Sequence, residues 1–223
     1  MVLFHKFYLF DPKFKNEQEI YTSAIACLFI STKVCNQLVP LNDLVKEFLK
    51  NINKTNLIEE SSLLETSERI CFLEFEILNK IGFDLNIDLP YKYMDLMVNY
   101  VLNTLRNPKF LVIATNFLND SFKLPLSLYY SPKLLALAGI YMTMSWFKVK
   151  LPDFQGLKWY QIIDRDVYFD SIVEVANYIK KIYEYSSQKS SSSVKIISGV
   201  KENVYKYNFL MKNLNESIEK QEA

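Results

Sequence analysis

Few residues of this chain have the types and spacing that catalysis or metal binding requires. Its 223 residues contain one histidine, His5, which removes most Ser/His/Asp, Cys/His and multi-histidine metal chemistries. The four glycines lie too far apart to form either of the Gly-rich phosphate-binding loops. The three cysteines, Cys27, Cys35 and Cys71, lie in or beside apolar helical sequence without Cys-x-x-Cys spacing, so we expect reduced core thiols. These counts argue against enzymes that depend on such groups.

One carboxylate stands in an unexpected place on a predicted helix over 65–81. The charged stripe that should face water on this helix consists of Glu65, Arg69, Glu76 and Lys80. Glu74 points roughly 140° away from Arg69, at about 100° per residue, and so lies among apolar side chains. A bare buried carboxylate loses much of its solvation, so Glu74 requires a cation, hydrogen-bond donors or an interface.

The candidate cation is Lys33, which ends an apolar helix predicted over 17–34 and is its only charged residue after Glu19. On one interpretation Lys33 complements the C-terminal dipole of its helix, and Glu74 lies at the rim of an apolar face. On the other, the two side chains meet across packed helices and present a charge pair within an apolar surface. Such a pair gives a binding face orientation as well as affinity. The residues alone leave both interpretations open.

The overall composition favours a chain with a substantial core and no charge excess. Half of the residues are hydrophobic, and the formal net charge is +1, so nucleic acid is not the default partner. No apolar run reaches the roughly 20 residues that a bilayer requires, and the N-terminus lacks a signal-peptide pattern. We therefore expect a cytosolic or nuclear protein with no membrane partner.

Helical periodicity extends over nearly the whole chain, and few alternating runs suggest strands. Capping residues followed by proline mark helix starts at Asn107-Pro108 and Ser131-Pro132. We predict an all-α fold, with Trp146 and Trp159 as core anchors. The predicted helices cover 1–10, 17–34, 41–51, 65–81, 91–105, 108–122, 132–147, 157–164 and 168–185.

Two of these helices are apolar on nearly every side, from Ser23 to Val34 and from Leu134 to Met144, so each must lie among other helices. When the two segments are aligned by sequence, residues of similar size and polarity coincide. The aligned pairs are Ala24 and Ala136, Ala26 and Ala138, Cys27 and Gly139, Leu28 and Ile140, and Phe29 and Tyr141. This agreement indicates the duplication of a helical unit around a hub helix. Two helices precede the second hub and one precedes the first, so the first unit lacks an opening helix.

Several short motifs recur in the order and spacing of a known family. In the first half they are Phe4-His5-Lys6-Phe7-Tyr8, Ala26-Cys27-Leu28-Phe29-Ile30 with Lys33-Val34, Leu73-Glu74-Phe75-Glu76-Ile77-Leu78, and Gly82-Phe83-Asp84-Leu85. In the second half they are Pro90-Tyr91, Phe117-Leu118-Asn119-Asp120-Ser121, Tyr130-Ser131-Pro132 with Ile140-Tyr141, and Trp159-Tyr160. Together they resemble the tandem cyclin boxes, and those of the second half are similar to the transcription-type cyclins K, T and L.

The resemblance implies a domain organisation. Residues 1–86 are a first cyclin box that begins inside what would be its second helix and so lacks its N-terminal helix. Residues 87–185 are the second box, and residues 186–223 are a Ser-rich linker with a possible C-terminal helix. The chain departs from the family in Lys33-Val34-Cys35-Asn36, where many members have two glutamates after the valine, and in Trp159-Tyr160, where cyclins K and T have tandem tryptophans.

The resemblance also implies a function. The protein would have no catalytic residues, no cofactor, no metal and no small-molecule substrate, and would bind and activate a cyclin-dependent protein kinase. The kinase would be one of the transcriptional group acting on RNA polymerase II, and the protein would be nuclear. Lys33 and Glu74 match the family's kinase-contacting residues, while Phe29 and Leu78 belong either to the core or to the kinase-facing surface. The alternatives are a cyclin-fold general transcription factor bound to nucleic acid and a scaffold that does not activate a kinase.

Overall fold

The computed structural model of the chain describes residues 1–10, 17–53, 59–105 and 107–190. Within these ranges the chain forms eight α-helices and two short 3-10 helices and no β-strand, which confirms the all-α prediction. The α-helices are α1 (Val2–Phe10), α2 (Glu17–Val34), α3 (Leu41–Asn53), α4 (Glu60–Lys80), α5 (Tyr91–Leu105), α6 (Pro108–Ser121), α7 (Pro132–Phe147) and α8 (Phe169–Ser190). The 3-10 helices are Pro125–Leu128 and Trp159–Ile162.

The chain divides into two units between Ile87 and Asp88, so that α1 to α4 lie in the first and α5 to α8 in the second. In the first unit α2 packs against α1, α3 and α4, and α4 also contacts α1 and α3. The core between these helices includes Ala26, Ile30, Ile70 and Ile77, none of which is more than 2% exposed. The small side chain of Ala26 lets the neighbouring helices approach α2 closely.

In the second unit the hub is α7, which packs against α5, α6 and α8. A Cβ atom added at Gly139 would lie 3.1 Å from the backbone oxygen of Ala114 on α6 and 3.5 Å from the Cε atom of Met94 on α5. Glycine at this position therefore allows three helices to meet. In the described part of the second unit, two α-helices, α5 and α6, precede the hub. In that of the first unit, one helix, α1, precedes α2, as the sequence predicted.

Two predicted helix starts are confirmed by their capping hydrogen bonds. The backbone N–H of Lys109 donates to the Asn107 side chain at 3.1 Å, and the N–H of Leu134 donates to Ser131 Oγ at 3.3 Å. A proline occupies the first turn after each cap, where its missing N–H costs no hydrogen bond. Local sequence therefore sets where α6 and α7 begin.

Three predicted elements differ from the structure by more than two residues. Helix α4 begins at Glu60 instead of 65. The helix predicted over 157–164 was wrong, since only Trp159–Ile162 forms a 3-10 turn, which follows Gly156 with its φ of +80°. Helix α8 extends to Ser190, beyond its predicted end at 185, and so occupies the first part of the predicted linker. The possible helix after residue 194 lies outside the described residues.

Some residues predicted for the core lie on the surface. Trp159 is 6% exposed, as predicted, but Trp146, next to the last residue of α7, is 67% exposed. Cys27 is buried, whereas Cys35, which follows the last turn of α2, and Cys71 on α4 are exposed, so the prediction of three core thiols was wrong for two of them. No helix in the described ranges is long and apolar enough to cross a membrane.

Candidate partner-binding surface

Lys33 and Glu74 form an ion pair between α2 and α4 in the first unit. Lys33 Nζ donates to Glu74 Oε1 at 2.6 Å, although 41 residues separate the two positions in the sequence. The Lys33 side chain is 45% exposed and that of Glu74 is 17% exposed. The structure therefore brings together the two charges whose meeting the sequence left open, and both remain within reach of a partner.

Phe29 supports this pair from the core side. Its side chain is 8% exposed and belongs to the buried cluster of the first unit. Lys33 Nζ lies 4.1 Å from the centroid of the Phe29 ring, which is within the range of a favourable cation–π interaction. Of the two locations that the sequence allowed for Phe29, the structure favours the core, where the ring holds the lysine in place.

Leu78 and two further side chains of α4 flank Glu74 on its exposed side. At about 100° per residue, Leu78, Cys71 and Phe75 lie at about 40°, 60° and 100° from Glu74 around the helix, on the side opposite the buried Leu73 and Ile77. Leu78 is half-buried against the core, and Cys71 and Phe75 are exposed, Phe75 by 65%. We call Lys33, Cys71, Glu74, Phe75 and Leu78 together the charge-pair surface.

Sequence reasoning missed the exposure of Phe75 and of the nearby Phe72, which is 53% exposed and lies 5.3 Å from the Arg69 guanidinium. The charged residues of α4 defined its water-facing stripe, and no location was predicted for Phe72 or Phe75. A signal was present, because two phenylalanines three residues apart lie between the charged stripe and the buried face.

The polar residues near the end of α6 connect helices of the second unit. Tyr91 Oη on α5 donates to Asn119 Oδ1 at 2.6 Å, and Tyr183 Oη on α8 donates to Asp120, which also pairs with Lys123. Burial and the hydrogen bond to Asp120 raise the pKa of Tyr183 above its usual range. Asn119 and Asp120 thus join α6 to α5 and α8.

A metal site is not found among the described residues, where no cluster of three His, Cys, Asp or Glu side chains could hold an ion. The charge-pair surface is instead apolar with one acid and one base. Such a surface can bind a protein helix, because burial of the phenylalanine provides affinity and the ion pair provides orientation.

The fold and this surface define the class of the protein: two all-α units, each built around a hub helix, of which the first presents an ion pair beside exposed apolar side chains. No family model matches the chain. It is 29% identical to Cyclin-T1-3 of Oryza sativa over 193 residues, which cover 82% of this chain and 38% of that protein. It is 26% identical to human Cyclin-K over 195 residues, which cover 85% of this chain and 33% of that protein.

Human Cyclin-L1 is 26% identical over 157 residues, which cover 68% of this chain and 29% of that protein. The chain spans about a third of the length of these curated relatives. Relatives named Cyclin-T, Cyclin-K and Cyclin-L are thus matched over most of this chain and support its similarity to the transcription-type cyclins. The resemblance deduced from the sequence motifs is thereby confirmed.

Proposed function

We propose that this chain is a regulatory subunit that binds a cyclin-dependent protein kinase and activates it, without catalytic activity of its own. The kinase would belong to the transcriptional group, phosphorylate RNA polymerase II and act with this chain in the nucleus. The observation that carries the proposal is the Lys33–Glu74 ion pair, 2.6 Å long, placed beside the exposed Phe75 on an otherwise apolar part of α4. The similarity to cyclins K, T and L supports it.

The charge-pair surface provides both the apolar area and the polar groups that a helix-binding interface needs. Full burial of a phenylalanine side chain contributes about 1.5–3 kcal/mol, so covering Phe75, which is 65% exposed, would contribute roughly 1–2 kcal/mol. Lys33 has donors left beyond its bond to Glu74, and Glu74 has a second carboxylate oxygen. A partner helix with complementary polar groups would therefore bind in one register.

Activation would follow from selective binding to one state of the kinase. Protein kinases are active when a glutamate of their mobile regulatory helix pairs with the lysine of the ATP site. If the charge-pair surface binds that helix better when it is turned inward, the active state becomes more populated in proportion to the difference in affinity. Lys33 and Glu74 would fix the position of the helix, while Phe75 and Leu78 would cover its apolar side.

The test is affinity purification of the full chain from its native cell, identification of the bound kinase, and assay of that purified kinase with and without the chain. Binding together with increased phosphorylation of RNA polymerase II is the expected result. Recovery of no kinase would refute the proposal. Binding with unchanged activity would also refute it and would favour the non-activating scaffold. Tight, salt-dependent binding to duplex DNA in place of kinase binding would favour the transcription-factor alternative.

A further inference from the structure

We propose that the first unit binds a small zwitterion with an apolar side chain, of the class of the free aromatic amino acids, in a cavity between α2, α3 and α4. The cavity has a volume of about 410 Å³ and is open to solvent. This volume lies within the range of roughly 300–1,000 Å³ that small-molecule sites occupy.

The cavity is separate from the charge-pair surface, and the two share no residue. On α4 the cavity is lined by side chains from the first three turns, of which Arg69 is the last. Arg69 lies roughly 140° from Glu74 around this helix, at about 100° per residue. A ligand in the cavity and a partner on the charge-pair surface would therefore occupy different sides of α4, and the proposal does not depend on kinase binding.

The floor of the cavity is apolar and comes from α3, through Phe48, Leu49 and Ile52. Leu49 is 7% exposed, and Phe48 is half-buried against the core of the first unit. The part of the Phe48 ring that remains uncovered can contact a second aromatic ring edge-to-face or offset-stacked. An aromatic side chain on this floor would leave water for a surface that the core already holds in place.

Two opposite charges line the cavity without neutralising each other. Glu65 and Arg69 lie four residues apart on α4, a spacing at which an ion pair can form. In the part of the chain that the structure describes, neither side chain forms an ion pair. The Arg69 guanidinium lies 5.3 Å from the Phe72 ring centroid instead. The cavity therefore offers a guanidinium and a carboxylate to one ligand.

Two threonines add hydrogen-bond acceptors to the same walls. Thr22 Oγ1 donates to the backbone oxygen of Gln18 at 2.9 Å, and the side chain is buried. Thr66 Oγ1 donates to the backbone oxygen of Ser62 at 2.7 Å. Because each hydroxyl spends its proton on its own helix, its lone pairs remain for a donor in the cavity. A ligand ammonium is such a donor.

These groups together select the class of the ligand. A carboxylate can accept two parallel hydrogen bonds from the Arg69 guanidinium, while an ammonium can donate to Glu65 and to the threonine oxygens. Positions four residues apart are about 6 Å apart along a helix, so a small molecule can reach both. A free amino acid carries the two charged groups on one carbon atom and an apolar side chain that can lie on the floor.

Isothermal titration calorimetry on the full chain, without kinase, tests the proposal with three ligands that differ in their charged groups. L-Phenylalanine has both groups, hydrocinnamate lacks the ammonium, and phenethylamine lacks the carboxylate. We expect L-phenylalanine to bind roughly tenfold more tightly than either analogue, because each analogue loses one charge-assisted interaction. Equal affinities for the three ligands, or no saturable binding of L-phenylalanine at millimolar concentration, would overturn the proposal.

Variants of the two charged residues identify the site. Arg69→Gln should reduce the affinity for L-phenylalanine to that for phenethylamine, and Glu65→Gln should reduce it to that for hydrocinnamate. Glu68→Gln is the matched control, because Glu68 is exposed on the same helix and does not line the cavity. It should leave all three affinities unchanged. An equal loss of affinity in Glu68→Gln, or an unchanged preference for L-phenylalanine in both cavity variants, would overturn the assignment.

Discussion

Reversal of one charge, Glu74→Lys, separates a binding role of the ion pair from a structural one. Exposed ion pairs contribute roughly 0.2–1 kcal/mol to folding, and Lys33 is 45% exposed, so both lysines of the variant can turn toward water. We expect the free energy of unfolding to fall by about 1 kcal/mol. For a unit of this size, that corresponds to a decrease in Tm of about 4–8 °C.

The expected effect on binding is much larger. Removal of one member of a charge pair that becomes buried in an interface costs about 2–5 kcal/mol. At 1.36 kcal/mol for each factor of ten, the affinity for the kinase should fall roughly 30-fold to several thousand-fold. Isothermal titration calorimetry with the kinase purified on the unmodified chain measures the affinity, and thermal unfolding measures the stability of the same samples.

A matched control exists in the second unit, where Lys133 Nζ lies 3.1 Å from Asp164 Oδ2. The two side chains are 39% and 23% exposed, similar to Lys33 and Glu74, and the hydrogen bond from Lys133 lowers the pKa of the Asp164 carboxyl. Asp164→Lys should lower the Tm by a similar amount and leave kinase affinity unchanged. A collapse of thermal stability in Glu74→Lys, or an equal loss of affinity in the control, would refute the reasoning.

Three further outcomes are expected. Phe75→Ala should weaken kinase binding by about 1–2 kcal/mol while the free energy of unfolding changes by less than about 0.5 kcal/mol. Val112→Ala, at a site that is 61% exposed on α6, should change neither quantity, and equal binding by both variants in calorimetry would contradict this. Burial lowers the pKa of His5 to about 4. As the pH falls below 6.5, the histidine therefore binds a proton in the unfolded chain at a higher pH than in the folded chain. Stability should therefore decrease by about 2 kcal/mol between pH 7 and 5 in urea unfolding, and His5→Gln should lack this part of the decrease. Gly139→Val should cost about 1–3 kcal/mol in urea unfolding, because its side chain would meet the Ala114 backbone oxygen, and an unchanged midpoint would contradict the close helix contact.

Helix identity could be predicted from the sequence because it depends on local periodicity and capping. Helices α1, α2, α5 and α7 lie within one residue of their predicted bounds, and the caps at Asn107 and Ser131 fixed two starts. The segment around Trp159 was harder to predict. Its four residues of 3-10 helix follow a glycine with positive φ, and their apolar spacing is the same as that of the last turn of a longer α-helix.

The ion pair of the candidate site could also be predicted as one of two possibilities, and Leu78 was named beside it. Glu74 was identifiable because a carboxylate on a predominantly apolar face requires a partner, and Lys33 was the single available cation at the end of the hub. Phe75 was missed although it lies next to the charged stripe, since helical periodicity does not reveal which of several apolar faces a neighbouring helix will cover. The same ambiguity led to the wrong prediction for Trp146.

The sequence by itself determined an all-α chain with two hub helices, and it also marked one carboxylate as out of place, because these features depend on residues within a few turns of one another. Tertiary structure alone decided that Lys33 and Glu74 meet at 2.6 Å and that Phe75 and Trp146 remain exposed. The physical reason is that the described helices carry more apolar faces than they cover among themselves, and the packing of α2 on α4 and of α7 on α6 and α8 selects which faces are buried.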